Sequence, residues 1–579
     1  MSPQLRPRFV ALAALSAVWA CVPSAAGQAF QSDIDRWVTQ DMIDPPEAGS
    51  ILFIGSSSIR RWELLTRDFA DYKVIQRGFG GAQFEDVNFF VDDIVLPYAP
   101  TAIVVWAGTN DNTSGEAGAE VFADYQQFVG LVHAAMPTTE IFYLGITPTP
   151  TNGIFTVERE TANTLIRNAA QLNARLHYID LPSVFDALGP PSSPEFVDLY
   201  VDGVHLNRAG YAVWTNEVRP VLEASIAPNK VFVSNPLTPQ PGTSVFFDFG
   251  PSNPDDGNPT IGVDAFGNTW NNWHPAEGGV AVNAGEHLGN LVDQNNTPTG
   301  IDLTITGGFS TNGIQNGGLL APAPAQLGEL AVPTATQDYF FSTADDLVGG
   351  GNDDVPGGFM LSGLDPALVY DFRFFGSRTS GGTTRVTRYE VTGANGGLTT
   401  LATTGTNIGA DGVYDGNDNE IAEIAGIRPD GFGQVFVDLT LVQGGFAYIN
   451  AMELRVVPLS IDIQPADTVV DAGGVLTFTA SVQGAAGTAT LAWERDGIVL
   501  IDNDRVGGAS TESLTISGAG RGDAGLYRLV ATLNTTSVAS SAAVGAVRES
   551  PLGDLDFNND GMIDTLDVFD FVVELETTD

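Results

Sequence analysis

Ile51-Leu52-Phe53-Ile54 runs without a polar residue into Gly55-Ser56-Ser57-Ser58-Ile59. An apolar run that lacks alternation suits a parallel strand covered on both faces, and the glycine and serines mark a turn at its end. The pattern recurs further along the chain. Val74-Ile75 leads to Gly78-Phe79-Gly80-Gly81, and the run from Ile103 to Trp106 leads to Gly108-Thr109-Asn110-Asp111. Helix-like stretches at 117–135 and 157–176, with further apolar runs at 141–146 and 176–181, continue the alternation. Strands alternating with helices predict a three-layer α/β domain, placed here at residues 30–228. Open sheets of this kind bind ligands beyond the carboxyl ends of their strands, and all three polar segments fall there.

A fourth segment, Asp202-Gly203-Val204-His205, stands before a helix pattern at 209–222. Together the four contain the parts of an acyl-transfer site. Ser57 is the candidate nucleophile, His205 the base that takes its proton, and Asp202 the carboxylate that orients the imidazole. The backbone N–H groups of Ser57 and Gly81 and the side-chain amide of Asn110 would serve as oxyanion donors. Each segment alone has a plainer explanation: serines cap helices, glycines 78, 80 and 81 make tight turns, and Asn110 could cap the next segment. Their order at successive strand ends favours the chemical reading. His133 and His177 lack a patterned acidic partner and are read as structural. With five histidines and no cysteine pair, the sequence offers no zinc pattern.

These segments resemble the blocks of the SGNH (GDSL-type) hydrolase superfamily, in particular its branch related to platelet-activating-factor acetylhydrolase subunits. The likeness covers roughly 33–223 and includes Arg77-Gly78-Phe79-Gly80-Gly81, Trp106-Ala107-Gly108-Thr109-Asn110 and Asp202-Gly203-Val204-His205-Leu206-Asn207. It implies a flavodoxin-like fold, with Ser57, Gly81, Asn110 and His205 in the four eponymous roles and Asp202 completing the triad. The chain departs from the family in having Ser56 where most relatives carry Asp, which leaves three consecutive serines as candidates. Ser57 has the family's usual spacing from Gly55 and Trp62, and Ser58 is the alternative. No glycine stands two residues after Ser57, unlike the Gly-x-Ser-x-Gly elbow of α/β-hydrolases.

Residues 1–29 read as a signal peptide: Arg6 and Arg8 precede an apolar stretch from Phe9 to Ala20 and small residues at 24–26, too short to span a bilayer. Cys21, the only cysteine, lies within it and faintly resembles a lipoprotein site. This points to a secreted or cell-surface location. The net charge of −45, with only Lys73 and Lys230 as lysines, excludes general nucleic-acid binding, which depends on phosphate neutralisation. No other segment is long or apolar enough to span a membrane.

Beyond Pro228 the composition shifts to Gly, Asn, Thr and Pro with short β-type runs. Residues 229–457 resemble a β-sandwich of the galactose-binding jelly-roll kind, in which Trp270 and Trp273 either stack on sugars or join the core. Residues 458–548 resemble an immunoglobulin-like domain, with Trp493 as core anchor, Tyr527 as corner tyrosine, and Ala480 and Leu529 where a disulfide might stand. Residues 549–579 contain Asp556, Asn558, Asp560, Met562, Asp564 and Asp567 at positions 1, 3, 5, 7, 9 and 12 of a loop that turns at Gly561. This resembles a single dockerin-type calcium loop.

The expected protein is a secreted serine esterase that removes short acyl groups, acetyl above all, from a carbohydrate or another small ester. It needs no cofactor for catalysis and holds calcium in its C-terminal loop. Its C-terminal modules would meet an extracellular protein or glycan partner. The same mechanism would serve a lipid ester or thioester, and a surface adhesion protein with an inactive hydrolase domain is the reading of a different class.

Overall fold

The computed structural model describes residues 29–231, 237, 239–275, 281–343, 356–484, 489–533 and 536–548. The expected signal peptide, apart from Ala29, and the calcium loop lie outside them. Five parallel strands form the first sheet: β1 (Ile51–Gly55), β2 (Val74–Gly78), β3 (Ala102–Trp106), β4 (Glu140–Leu144) and β5 (Leu176–Ile179). Their order is β2-β1-β3-β4-β5, the flavodoxin-like arrangement.

Alternate side chains of each strand enter opposite cores, as pleating requires. Leu52, Ile54, Ile103, Val105, Ile141 and Tyr143 pack with Val121, Tyr125, Phe128 and Ile166 from the helices Gly118–Ala135 and Thr156–Leu172. Ile51, Phe53, Val104, Phe142 and Leu144 pack on the other face with Trp62, Trp214, Val218 and Leu222. The helix Arg208–Ser225 supplies the last three, so the segment that comes after His205 is anchored in a core. Full burial of one such side chain stabilises the fold by about 1.5–3 kcal/mol.

The second region, the sandwich, is built among the described residues from three mainly antiparallel sheets of six, four and five strands, which pack around a large apolar core and a smaller one that holds Phe246, Trp270, Leu327 and Phe375. Among the described residues only four-residue helices and shorter 3₁₀ turns interrupt it, at Pro324–Leu327 and Pro333–Thr336 among others. Trp270 and Trp273 are strand residues, 4% and 8% exposed, so both join the interior and neither offers a face to sugar. The third region is an immunoglobulin-like sandwich centred on Trp493, Phe478, Leu529 and Tyr527. The Tyr527 hydroxyl donates to the Asp523 carbonyl, closing the tyrosine corner expected from the sequence. Ala480 and Leu529 are buried there, so apolar packing occupies the place of a disulfide.

The second region packs against edge strand β2 and its surroundings. Arg36 pairs with Glu286 at 3.0 Å, and Arg60 donates to Asn283 Oδ1 at 2.9 and 3.2 Å. A Cβ on Gly285 would come within 2.8 Å of the Gln76 side chain, so the loop closes tightly over the sheet edge. Among the described residues no helix is long and apolar enough to cross a membrane.

Candidate active site

Strands β2, β1 and β3 are neighbours, in register Gly78↔Gly55↔Trp106, so their three polar turns leave the sheet side by side. Gly55 has φ +146°, and a Cβ there would stand 1.9 Å from the Trp106 carbonyl oxygen. Glycine is therefore required where the chain turns from β1 into the short helix Ser57–Arg60. This geometry separates the three serines. Ser56 and Ser58 are buried, whereas Ser57 opens the helix partly exposed.

His205 Nε2 lies 2.9 Å from Ser57 Oγ, and its Nδ1 lies 2.7 Å from Asp202 Oδ2. Asp202 Oδ1 accepts the backbone N–H groups of Val204 and His205, each at 2.7 Å. Burial alone would raise the Asp202 carboxyl, but the hydrogen bonds from the His205 ring and from these two amides outweigh it and hold the pKa at about 2. The carboxylate stays charged throughout the neutral range and fixes the imidazole with Nδ1 as donor and Nε2 free to accept. An imidazole so placed can draw a proton from the adjacent hydroxyl.

The loop carrying His205 is held at several points. The Gly203 carbonyl accepts from Thr151 N and Oγ1 at 3.1 and 2.8 Å, and Asn207 caps the next helix through Gly210 N at 3.0 Å. Tyr211, one turn into that helix, donates to the Ser58 carbonyl at 2.8 Å and ties it to the nucleophile turn.

Gly81 has φ +89°, a conformation glycine adopts without strain, and a Cβ there would meet nothing within 4 Å. Its N–H and that of Ser57 make no hydrogen bond among the described residues. One N–H of the Asn110 amide is taken by the Ala82 carbonyl at 2.9 Å, and the other remains for a ligand.

Sequence reasoning missed two contributors. Arg61, almost fully buried, brings Nη1 to 3.3 Å from Asp202 Oδ2 and adds a second donor to the oxygen that faces His205. Asp111 accepts Phe84 N at 2.7 Å and Gly108 N at 3.1 Å, joining the loops that carry Gly81 and Asn110. Burial raises its pKa to about 6 despite these bonds. Arg61 directly follows the nucleophile helix and Asp111 directly follows Asn110, but adjacency alone does not reveal these contacts. Away from the site, at the start of β4, the sequence pattern also did not reveal an acidic partner for His177: Glu140 lies 2.5 Å from the His177 ring on β5. Strand pairing creates that contact, which no sequence spacing encodes. His133 bonds the Thr139 carbonyl at 3.0 Å.

Among the described residues one group of three carboxylates could close on a cation: Asp111, Glu116 and Asp124, with atoms within 4.8 Å of one another.

Residues 50–213 match the family model described as GDSL-like Lipase/Acylhydrolase. The chain carries a GDSL-like acylhydrolase domain. It is accordingly an ester hydrolase. Residues 459–545 match the Immunoglobulin I-set domain, so the acylhydrolase domain is followed by a β-rich region that ends in an immunoglobulin-like unit. No curated protein matches the chain. Among solved structures, a GDSL-like lipase from Bacteroides thetaiotaomicron is 17% identical, with 34% of this chain and 99% of that chain covered and a TM-score of 0.28. The lipase/acylhydrolase from Enterococcus faecalis is 16% identical, with coverages of 31% and 100% and a TM-score of 0.27. Titin M4 is 22% identical over 16% of this chain and 95% of that one, with a TM-score of 0.14.

Proposed function

We propose that the protein is a secreted serine esterase that removes short acyl groups, chiefly acetyl, from carbohydrate. Ser57 attacks the ester carbonyl while His205 accepts its proton and Asp202 stabilises the imidazolium. The Ser57 and Gly81 N–H groups and the free Asn110 N–H receive the developing oxyanion. His205 then returns the proton to the leaving alcohol, and water repeats the sequence to release the acid. The observation that carries this reading is the continuous series Asp202–His205–Ser57, with contacts of 2.7 and 2.9 Å.

The carbohydrate assignment rests on the neighbouring modules: a sandwich of galactose-binding character, an immunoglobulin-like unit and a dockerin-type calcium loop at 556–567. The apolar N-terminal stretch supports export, and the four sequence blocks favour the platelet-activating-factor acetylhydrolase branch.

Replacing Ser57 by Ala is expected to lower p-nitrophenyl acetate turnover by about 10⁴- to 10⁶-fold. Wild-type-like hydrolysis by that variant would refute the proposal. Octanoyl esters should be poorer substrates than acetyl esters, and the reverse order would move the assignment to lipid.

A further inference from the structure

The proposed nucleophile Ser57 begins a helix of four residues, Ser57–Arg60. A single turn closes too few bonds of its own to fix a side chain, so its position depends on what grips it from outside. Each of its other three residues is gripped by a different element. Tyr211 of the helix Arg208–Ser225 donates to the Ser58 carbonyl at 2.8 Å, and Gln76 of β2 donates to the Ile59 carbonyl at 2.6 Å. Arg60 reaches out of the acylhydrolase domain: its Nε and Nη2 both donate to Asn283 Oδ1 of the sandwich, at 3.2 and 2.9 Å.

The sandwich end of this contact is itself held. Asn283 is buried, and its Nδ2 donates to Glu286 Oε1 at 2.8 Å, which turns Oδ1 towards Arg60. Glu286 in turn lies 3.0 Å from Arg36. The loop is bonded to the strand Asp302–Gly307: Gly285 N donates to the Ile305 carbonyl at 2.9 Å, and Ile305 N to the Glu286 carbonyl at 2.8 Å. On its other side, Arg60 Nη1 makes no hydrogen bond among the described residues and borders the turn that carries Gly81. A Cβ on Gly80 would stand 3.3 Å from this nitrogen and 4.0 Å from Ser57 Cβ. One guanidinium therefore links the nucleophile helix, the oxyanion turn and the sandwich.

We propose that Arg60 and Asn283 are positioning residues: the sandwich loop Asn283–Glu286 holds the Arg60 fork, and through it sets Ser57 against the N–H donors of the oxyanion turn. This rests on the esterase reading. The sandwich then contributes to turnover through a contact that need not touch the substrate. Displacing a reacting group by about 1 Å can cost about 100-fold in rate, so loosening this one grip should be visible in kcat.

The test uses the full chain, with kcat for p-nitrophenyl acetate counted per active site titrated by a fluorophosphonate, so that unfolded molecules drop out. Arg60→Ala and Asn283→Ala should each lower kcat about 10- to 100-fold, with KM within about twofold. The double variant should be no slower than the slower single one, because both changes remove the same contact. Unchanged kcat in either single variant, or losses that multiply in the double variant, overturns the proposal. A raised KM with kcat intact also overturns it, because Arg60 would then bind substrate. Where an alanine variant does not fold, Arg60→Lys or Asn283→Ser is measured in its place. Failure of these milder changes to fold counts against the proposal, since the contact would then hold the fold and not the site. A wild type that neither hydrolyses the ester nor reacts with the fluorophosphonate overturns the esterase reading and this inference with it, whereas an active wild type with unaffected variants overturns the inference alone.

Discussion

Asp202–His205 in the acylhydrolase domain and Asp248–His274 in the sandwich pair the same residue types at 2.7 and 3.2 Å, yet their settings are opposite. Asp202 is partly exposed, accepts two backbone N–H groups and the His205 ring, and is held at about 2. Asp248 is fully buried beside His274, with a second buried carboxyl, Asp338, 3.9 Å from the ring. Desolvation would lower the His274 pKa, but the attraction and hydrogen bonding of Asp248 and a bond to the Pro251 carbonyl raise it. Burial, reinforced by the charge of Asp248, drives Asp338 strongly upward, so it stays neutral near pH 7. The first pair leaves His205 Nε2 facing a hydroxyl. Among the described residues the ring of His274 bonds no hydroxyl and instead lies buried against two carboxyls. An Asp–His contact becomes a base only where a nucleophile converges on the free ring nitrogen.

The contrast breaks if Asp202→Asn leaves catalysis intact. That substitution should cost about 10⁴-fold in kcat, because the amide cannot hold the required tautomer, and steady-state hydrolysis of p-nitrophenyl acetate measures it. Asn110→Ala should cost about 100- to 1,000-fold through loss of one oxyanion donor, with much less effect on KM.

In the sandwich the same kind of change should affect stability and leave turnover within about twofold. Asp248→Asn removes the carboxylate that raises the His274 pKa and should lower stability by about 1–3 kcal/mol in thermal unfolding. Asp338→Asn replaces a group already neutral and should cost less than about 1 kcal/mol. Equal losses from the two variants would show that Asp338 is charged.

Melting temperature should also change with pH. Burial raises Asp111 to about 6, Glu116 to about 7 and Asp302 to about 7, and each binds its proton more tightly folded than unfolded. Their stability penalty grows as pH rises from the unfolded carboxyl range to these values. His274, also raised, gives stability that is complete below the unfolded histidine value and fades as pH passes its folded value. Asp202 acts in the other direction, and its contribution is lost only as pH falls from 3.8 towards about 2. Melting temperature should therefore fall between about pH 5 and pH 8. A rise over that interval, followed by calorimetry, contradicts these assignments.

Much of the acylhydrolase fold was legible because buried parallel strands leave unbroken apolar runs and helices leave long amphipathic ones. The strands expected near 51, 74, 103, 141 and 176 all form, and the helix expected at 209–222 extends over Arg208–Ser225. The site was legible in its four segments because each is a local turn. Contacts between segments distant in sequence were not: the partner of His177 lies on a neighbouring strand, and Asp111 bridges two loops. The tryptophans of the sandwich illustrate a different limit. Trp270 and Trp273 could serve a surface or a core equally well, and the packing of other strands placed them inside.

By itself the sequence determined the alternation of strand and helix, the order of the polar turns and the residue types brought to them. These depend on side-chain periodicity and turn chemistry over a few residues. Tertiary structure alone decided which of three serines meets His205 and that Arg61 shares Asp202. Ser57 and His205 are 148 positions apart, and only the packing of a whole sheet and its helices fixes two such atoms at 2.9 Å.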